Sequence, residues 1–222
     1  MANLNISFAR KLLQEFQFHH LFIEELGWSQ PSSNKSVSYA VEDQTFTCRQ
    51  IAQLGGVVVM EVTSSDSTIV PANIRKSLHK EIQKNYHENL LIFVDEKRTQ
   101  SLWYWVKRES GKQIIREHHY FKGQPGDLFL TKLSSMVIDI GDLDENGDIH
   151  VTEVVNRLKN ALDIERVIKK FYHEYTEHRV AFTELITGIK DDRDKRWYAS
   201  IILNRLMFIY FLQGKGFLNK GD

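Results

Sequence analysis

Cysteine is nearly absent: Cys48 is the single one in 222 residues, which rules out an internal disulfide and any zinc site built on paired thiolates. Only three prolines occur, Pro31, Pro71 and Pro125, none beside another, so motifs that need consecutive prolines are excluded. Net charge is missing too, with 29 Lys plus Arg against 29 Asp plus Glu. Bulk charge therefore attracts no polyanion, and any basic surface must be local. The greasiest stretch, Trp197 to Leu212, is too short to span a bilayer and carries Asn204 and Arg205 at its centre. The amino terminus, MANLNISFARKLL, lacks the apolar run and small-residue cleavage site of a secretory signal. A Gly-rich phosphate loop, a G-x-S-x-G elbow and a Cys/His nucleophile pair are likewise absent. What remains, 42% hydrophobic and 26% charged residues, is enough for a real core and leads us to expect a soluble cytoplasmic protein.

The opening segment has a helical period. Phe8, Leu12 and Phe16, then after a shift Phe18, Leu21, Phe22 and Leu26, fall near i, i+3, i+4 spacing until Gly27. After a polar loop, SQPSSNKS, the texture turns to short β-rich runs broken at Glu42-Asp43-Gln44 and at Leu54-Gly55-Gly56, which predicts three strands from Val37 to Thr63. Val57 to Met60 does not alternate, the pattern of a strand covered on both faces. Pro71 opens a predicted helix, Ala72 to Tyr86, with Ile74, Leu78 and Ile82 on one side. A buried strand follows at Leu90 to Val94, then a hairpin of Leu102–Arg108 and Gln113–Phe121 around Ser110-Gly111, and a short helix from Asp127 to Ser135. Beyond a loop at Gly141 to Asp148 everything is helical. Val151, Val154, Val155, Leu158 and Leu162 form one stripe, Ile164 to Tyr175 the next, and a last helix spans Lys195 to Gln213. The class expected is α+β, with a mixed sheet flanked by helices over residues 1–140 and an all-α connector over 150–222.

Helix, three strands, helix, strand resembles the core order of PD-(D/E)xK nucleases. Those enzymes place an acid on the second strand and Glu-x-Lys on the third, the carboxylates holding Mg²⁺ and the lysine helping to activate water. Here the third strand offers Glu61-Val62-Thr63, with threonine where lysine belongs. The second strand carries no acid; Gln50 and Gln53 are its nearest polar residues, and Glu42 and Asp43 lie upstream. Glu61 is thus the catalytic candidate, with Lys76 or Lys80 as migrated lysines, set against a structural role in which Glu61 caps the strand or pairs with a cation.

Three other patterns each admit two readings. Asp142, Asp144, Asn146, Asp148 and Glu153, with Gly147 at the sixth position, satisfy the EF-hand calcium pattern; an Asp/Asn/Gly turn before a helix looks the same, and the β-branched MVIDI makes a poor entering helix. Arg75, Lys76, Lys80 and Lys84 form a DNA-binding stripe or a solvated helix face diluted by Glu81 and Glu88. Trp103 and Trp105 share one face of a strand and Tyr104 takes the other, suited to stacking on a base or, more commonly, to covering a sheet. The pairs His19-His20 and His118-His119 have no partner at metal-ligand spacing.

Several stretches resemble one protein group. Asp163-Ile-Glu-Arg-Val-Ile-Lys-Lys-Phe-Tyr172, Phe182 to Ile189 and Arg196 to Leu218, above all RLMFIYFLQGKGFL, look like the helical segment that precedes the methyltransferase domain in type IIG-like restriction-modification enzymes. Leu21 to Trp28 and Asn89 to Trp105 resemble the same group. These are bacterial adenine-specific DNA methyltransferases fused to a nuclease or nuclease-like N-terminal region. The resemblance implies DNA as partner, a C-terminal methyltransferase domain of the same chain, S-adenosylmethionine as that domain's cofactor, and Mg²⁺ if the nuclease is active. The glycine-bearing cofactor loop and the Asn-Pro-Pro-Tyr-type motif that grips a flipped adenine are not in these 222 residues. The expectation is therefore a non-methylating DNA-interaction module, with an active Mg²⁺-dependent endonuclease or a protein-interaction scaffold as alternatives.

Overall fold

A computed structural model describes residues 4–33, 35–42, 44–63, 68–145, 147–214 and 217–218, with side chains omitted for 164–170. The chain begins with α1 (Ile6–Gln14), whose N-cap Asn5 accepts from the Phe8 amide at 3.2 Å. The shift in apolar phase seen after Phe16 is a break in the backbone. Phe16 takes a left-handed φ of 57°, and the chain restarts as α2 (Phe18–His20), running directly into a π turn at Leu21–Glu25. Gly27, at φ 71°, then passes so close to the Ile138 carbonyl that a Cβ would sit 2.7 Å from its oxygen.

Six strands form one sheet in sequence order: β1 (Ser36–Val41), β2 (Gln44–Leu54), β3 (Val57–Thr63), β4 (Glu88–Val94), β5 (Gln100–Glu109) and β6 (Lys112–Phe121). All neighbours are antiparallel except β3 and β4, which run parallel. A parallel pair needs a crossover, and α3 (Ala72–Gln83) supplies it. The hairpin between β5 and β6 turns on Ser110 (φ 51°) and Gly111 (φ 74°), two consecutive left-handed residues that match the twist of the flanking strands.

The non-alternating apolar runs are explained by burial on both faces. Val57, Val59, Ile92, Trp103 and Trp105 point into one core with the N-terminal helices, α4 (Asp127–Leu133) and α5 (Val151–Leu162). Val58, Met60, Val62, Phe93 and Tyr104 point into a second core with Ile74, Leu78 and Ile82 of α3. Aromatic packing fixes the first core. Trp103 stacks on Phe22 at 5.6 Å and meets Phe18 and Phe129 edge-on. Trp103 and Trp105 are sealed in, fully occupied as core.

This compact unit runs to Asp163, beyond the division at 140–150 expected from the sequence. The reason is α5, whose Val154, Leu158 and Leu162 complete the first core. Chain exit is held by charge: buried Asp163 accepts from Lys107 Nζ at 2.7 Å and Arg116 Nε at 3.0 Å, while His118 Nε2 donates to the Leu162 carbonyl at 2.7 Å. The second unit is a helical hairpin of α6 (Ile164–Leu185) and α7 (Asp192–Gly214). Asp191 caps α7 through the amides of Arg193 and Asp194. Asn204, at the centre of the apolar stretch, is exposed and bonds across the hairpin, accepting from Tyr175 Oη at 3.1 Å. Among the described residues no helix is long and apolar enough to cross a membrane.

Candidate functional site

Glu61 lies near the C-terminal end of β3 and is 4% exposed. Because Met60 and Val62 enter the core under α3, Glu61 faces the opposite side, toward the N-terminal helices. Two arginines meet it there. Arg98 Nη1 and Nη2 donate to Oε1 and Oε2 at 3.0 and 2.8 Å, a two-pronged pair. Arg49 Nη2 stands 3.6 Å from Oε1.

Each arginine is positioned by a local irregularity. Arg49 is the cross-strand partner of Glu61 only because β2 carries a bulge between Gln50 and Ala52. Pairing from the Gly55-Gly56 turn without that extra residue would put Gln50 opposite Glu61. The bulged residue's carbonyl, Ile51 O, accepts from His19 Nδ1 at 2.7 Å. A carbonyl can only accept, so Nδ1 carries a hydrogen and donates. Arg98 sits in the β4–β5 turn at φ 50°. That turn is wound around buried Asp95, which accepts from the Thr99 amide, the Thr99 hydroxyl and the Gln100 amide. Burial pushes the Asp95 carboxyl upward, but these hydrogen bonds outweigh it and hold the group below the usual carboxylate range. Arg98 Nη2 also donates to the Phe16 carbonyl at 2.6 Å, clasping the α1–α2 break to the sheet.

Above this triad opens a cleft of ≈ 330 Å³, with Arg49, Arg98, His19, His20, Gln17 and Glu15 on its walls. Arg49 and Arg98 side chains are 51% and 39% exposed, so both remain reachable from solvent.

The other candidate residues fall elsewhere. Lys76 and Lys80 project from α3, on the far side of the sheet from Glu61, and cannot serve it as migrated lysines. Arg75 leaves the proposed DNA stripe altogether: it is buried, donating to Glu117 at 2.9 Å and to the Val70 carbonyl. Lys84 is exposed and paired with Glu81 at 2.6 Å. Gln50 and Gln53 bond to each other at 3.0 Å. Glu42 forms the β1–β2 turn at φ 53°, and Asp43 lies outside the described residues.

In the acidic loop, Asp142 and Glu153 converge on Arg157, at 2.9 and 3.2 Å. Asp144 accepts from the Asp148 amide at 2.9 Å, Asn146 lies outside the described residues, and the segment entering the loop is a single 3₁₀ turn, Ile140–Asp142. The first and twelfth positions of the calcium pattern thus hold the guanidinium of Arg157 on α5. Among the described residues no three His, Cys, Asp or Glu side chains converge in a metal-binding group.

Sequence reasoning found Glu61 but missed both arginines. Arg49 carried no visible signal, since its place depends on the bulge. Arg98 lay in a turn, Asp-Glu-Lys-Arg-Thr, that reads as solvated charge.

Mg²⁺ fits this geometry poorly. The implied dication would need carboxylate oxygens, yet both Glu61 oxygens are held by guanidinium donors, and a cation placed there would meet two like charges.

Comparison of the chain with protein-family models, with curated proteins and with solved structures found no match.

Proposed function

We propose that this chain is the N-terminal, DNA-contacting and non-methylating module of a restriction-modification DNA methyltransferase. On this reading it pairs a nuclease-like sheet with a helical connector to the methyltransferase domain. The observation that carries the reading is chain order: α1 and α2, the antiparallel β1–β2–β3, the α3 crossover and parallel β4, with Glu61 near the end of the third strand, buried against the two arginines that line a cleft. It is joined by the family resemblance of the helical stretch that forms α6 and α7. The cleavage centre has been rebuilt as an ion-pair triad. Glu61 balances Arg98 and Arg49 instead of gathering a metal, and the module positions DNA without cutting it. Lys76 and Lys80 remain available as phosphate contacts.

A scaffold reading is favoured by one observation. α7 is apolar around most of its circumference, with Trp197 67%, Phe208 61% and Tyr210 77% exposed, more than a solvated helix carries. In the reading proposed, that surface packs on the methyltransferase domain.

The test is fluorescence anisotropy with a labelled duplex across a salt series, alongside plasmid incubation with Mg²⁺ or Mn²⁺. Salt-dependent binding with uncut plasmid is expected. Metal-dependent cutting abolished by Glu61→Ala would establish the active-endonuclease alternative, and absence of binding even at low salt would favour the scaffold.

A further inference from the structure

We infer that the cleft over the Glu61 triad is a metal-independent binding site for a phosphate group, with Arg49 and Arg98 as its cationic wall. This goes beyond the function proposed above, because a free phosphate compound and a nucleic-acid backbone phosphate satisfy the cleft by the same chemistry.

Two guanidiniums share one buried carboxylate, so the triad carries one uncompensated positive charge. Arg98 is the structural member: its terminal nitrogens hold both Glu61 oxygens and the Phe16 carbonyl. Arg49 is the recruitable member. Its sole described contact with Glu61 is a 3.6 Å approach, too long for a hydrogen bond, and half of its side chain is exposed on the cleft wall. A guanidinium offers five N–H donors in a planar fork matched to phosphate oxygens. Gln17 and His19 add polar atoms to the same walls.

Position is fixed from behind. The β2 bulge, the Asp95-wound turn and the left-handed Phe16 and Arg98 all set the two arginines in place before any ligand arrives. Strained backbone of this kind gathered around one cleft is more usual at binding sites than elsewhere.

Negative charge limits what fits. Glu15 also lines the cleft, its Oε2 accepting from Gln17 at 3.0 Å, and His20 is engaged by Glu24 at 2.6 Å. Two arginines beside these acids suit a single compact phosphate rather than a continuous polyanionic track. A volume of ≈ 330 Å³ leaves room for an attached sugar.

The experiment uses the full 222-residue chain, wild type and Arg49→Gln. Arg49→Gln is the right variant because Arg49 is half exposed and lightly bonded, and its melting temperature serves as the fold control. Arginine Nε–Hε signals are followed by NMR during titration with inorganic phosphate and, separately, with a short 5′-phosphorylated duplex.

Saturable shifts of two arginine signals are expected in at least one arm, with apparent affinity about tenfold weaker in Arg49→Gln, the loss of one charge-assisted contact. Shifts with both probes identify a nucleic-acid phosphate at the cleft; shifts with inorganic phosphate alone identify a small phosphate compound and count against the DNA reading. Duplex binding that Arg49→Gln leaves unchanged, with no arginine shifts, overturns the phosphate site while sparing the DNA reading. Shifts with the duplex alone place a backbone phosphate in the cleft, whereas no arginine shifts in either arm together with no duplex binding by anisotropy overturn both.

Discussion

Replacing Glu61 by glutamine separates a structural carboxylate from a catalytic one. The change keeps volume and removes one charge, leaving Arg98 and Arg49 facing a neutral amide that can accept with only one of its two head atoms. Breaking a buried ion pair by removing one partner costs about 3–5 kcal/mol. Glu61 itself is buried, but Arg98 and Arg49 are 39% and 51% exposed, so solvent screening brings the expected loss down to about 2 kcal/mol. Glu61 belongs to the unit ending at Asp163, and in a domain of that size about 2 kcal/mol lowers the melting temperature by about 4–8 °C. Differential scanning fluorimetry at neutral pH measures it directly. The same variant should bind inorganic phosphate more tightly, because the competing internal anion is gone. A catalytic carboxylate held ready for metal behaves in the opposite way, since removing it relieves electrostatic strain. A melting temperature unchanged within about 1 °C, or raised, would refute the triad as described here.

Two further outcomes follow from buried charge. His79 is pressed against Tyr104 under α3, and burial first, then the Arg108 charge, lower its pKa to about 4. The unfolded ring titrates near 6.5, so the unfolded chain binds the proton first as pH falls. Stability is then complete above pH 6.5 and lost progressively between 6.5 and 4, by roughly 3 kcal/mol in all. Urea melts at pH 7.5 and 4.5 should show this loss in the wild type and a much smaller one in His79→Leu; equal losses would remove His79 as the cause. At Asp163, burial raises the carboxyl pKa but Lys107 and Arg116 outweigh it and hold it below the usual range. Asp163→Asn should therefore cost about 3 kcal/mol at pH 7. That difference from wild type should begin to shrink only as pH falls below the ordinary carboxylate pKa, toward the lowered folded one, and a difference that shrinks well above that range, or not at all in strong acid, would refute the assignment.

The sequence by itself determined the local elements and the two-faced sheet. Runs such as Val57 to Met60 and Leu90 to Val94 have no polar alternation, and only a strand covered on both sides can bury them. Gly55-Gly56 and Ser110-Gly111 marked turns because their left-handed backbones suit few other residues. Glu61 was legible as a lone acid in an apolar strand. Its partners were not. Pairing register is a property of two strands, and one extra residue near Ile51 moves Arg49 instead of Gln50 opposite Glu61. Arg98 arrives from a turn 37 residues away, and Phe16 supplies a carbonyl from a helix break that periodicity registered only as a shift in phase. Tertiary structure also removed Arg75 from the basic stripe, because a period-3.6 pattern places a residue on a helix flank without saying whether a carboxylate on β6 waits there. Likewise α5 has the same amphipathic pattern as any connector helix. It closes the first core because Val154, Leu158 and Leu162 meet an apolar sheet face left open by the N-terminal helices, and no local signal records that vacancy.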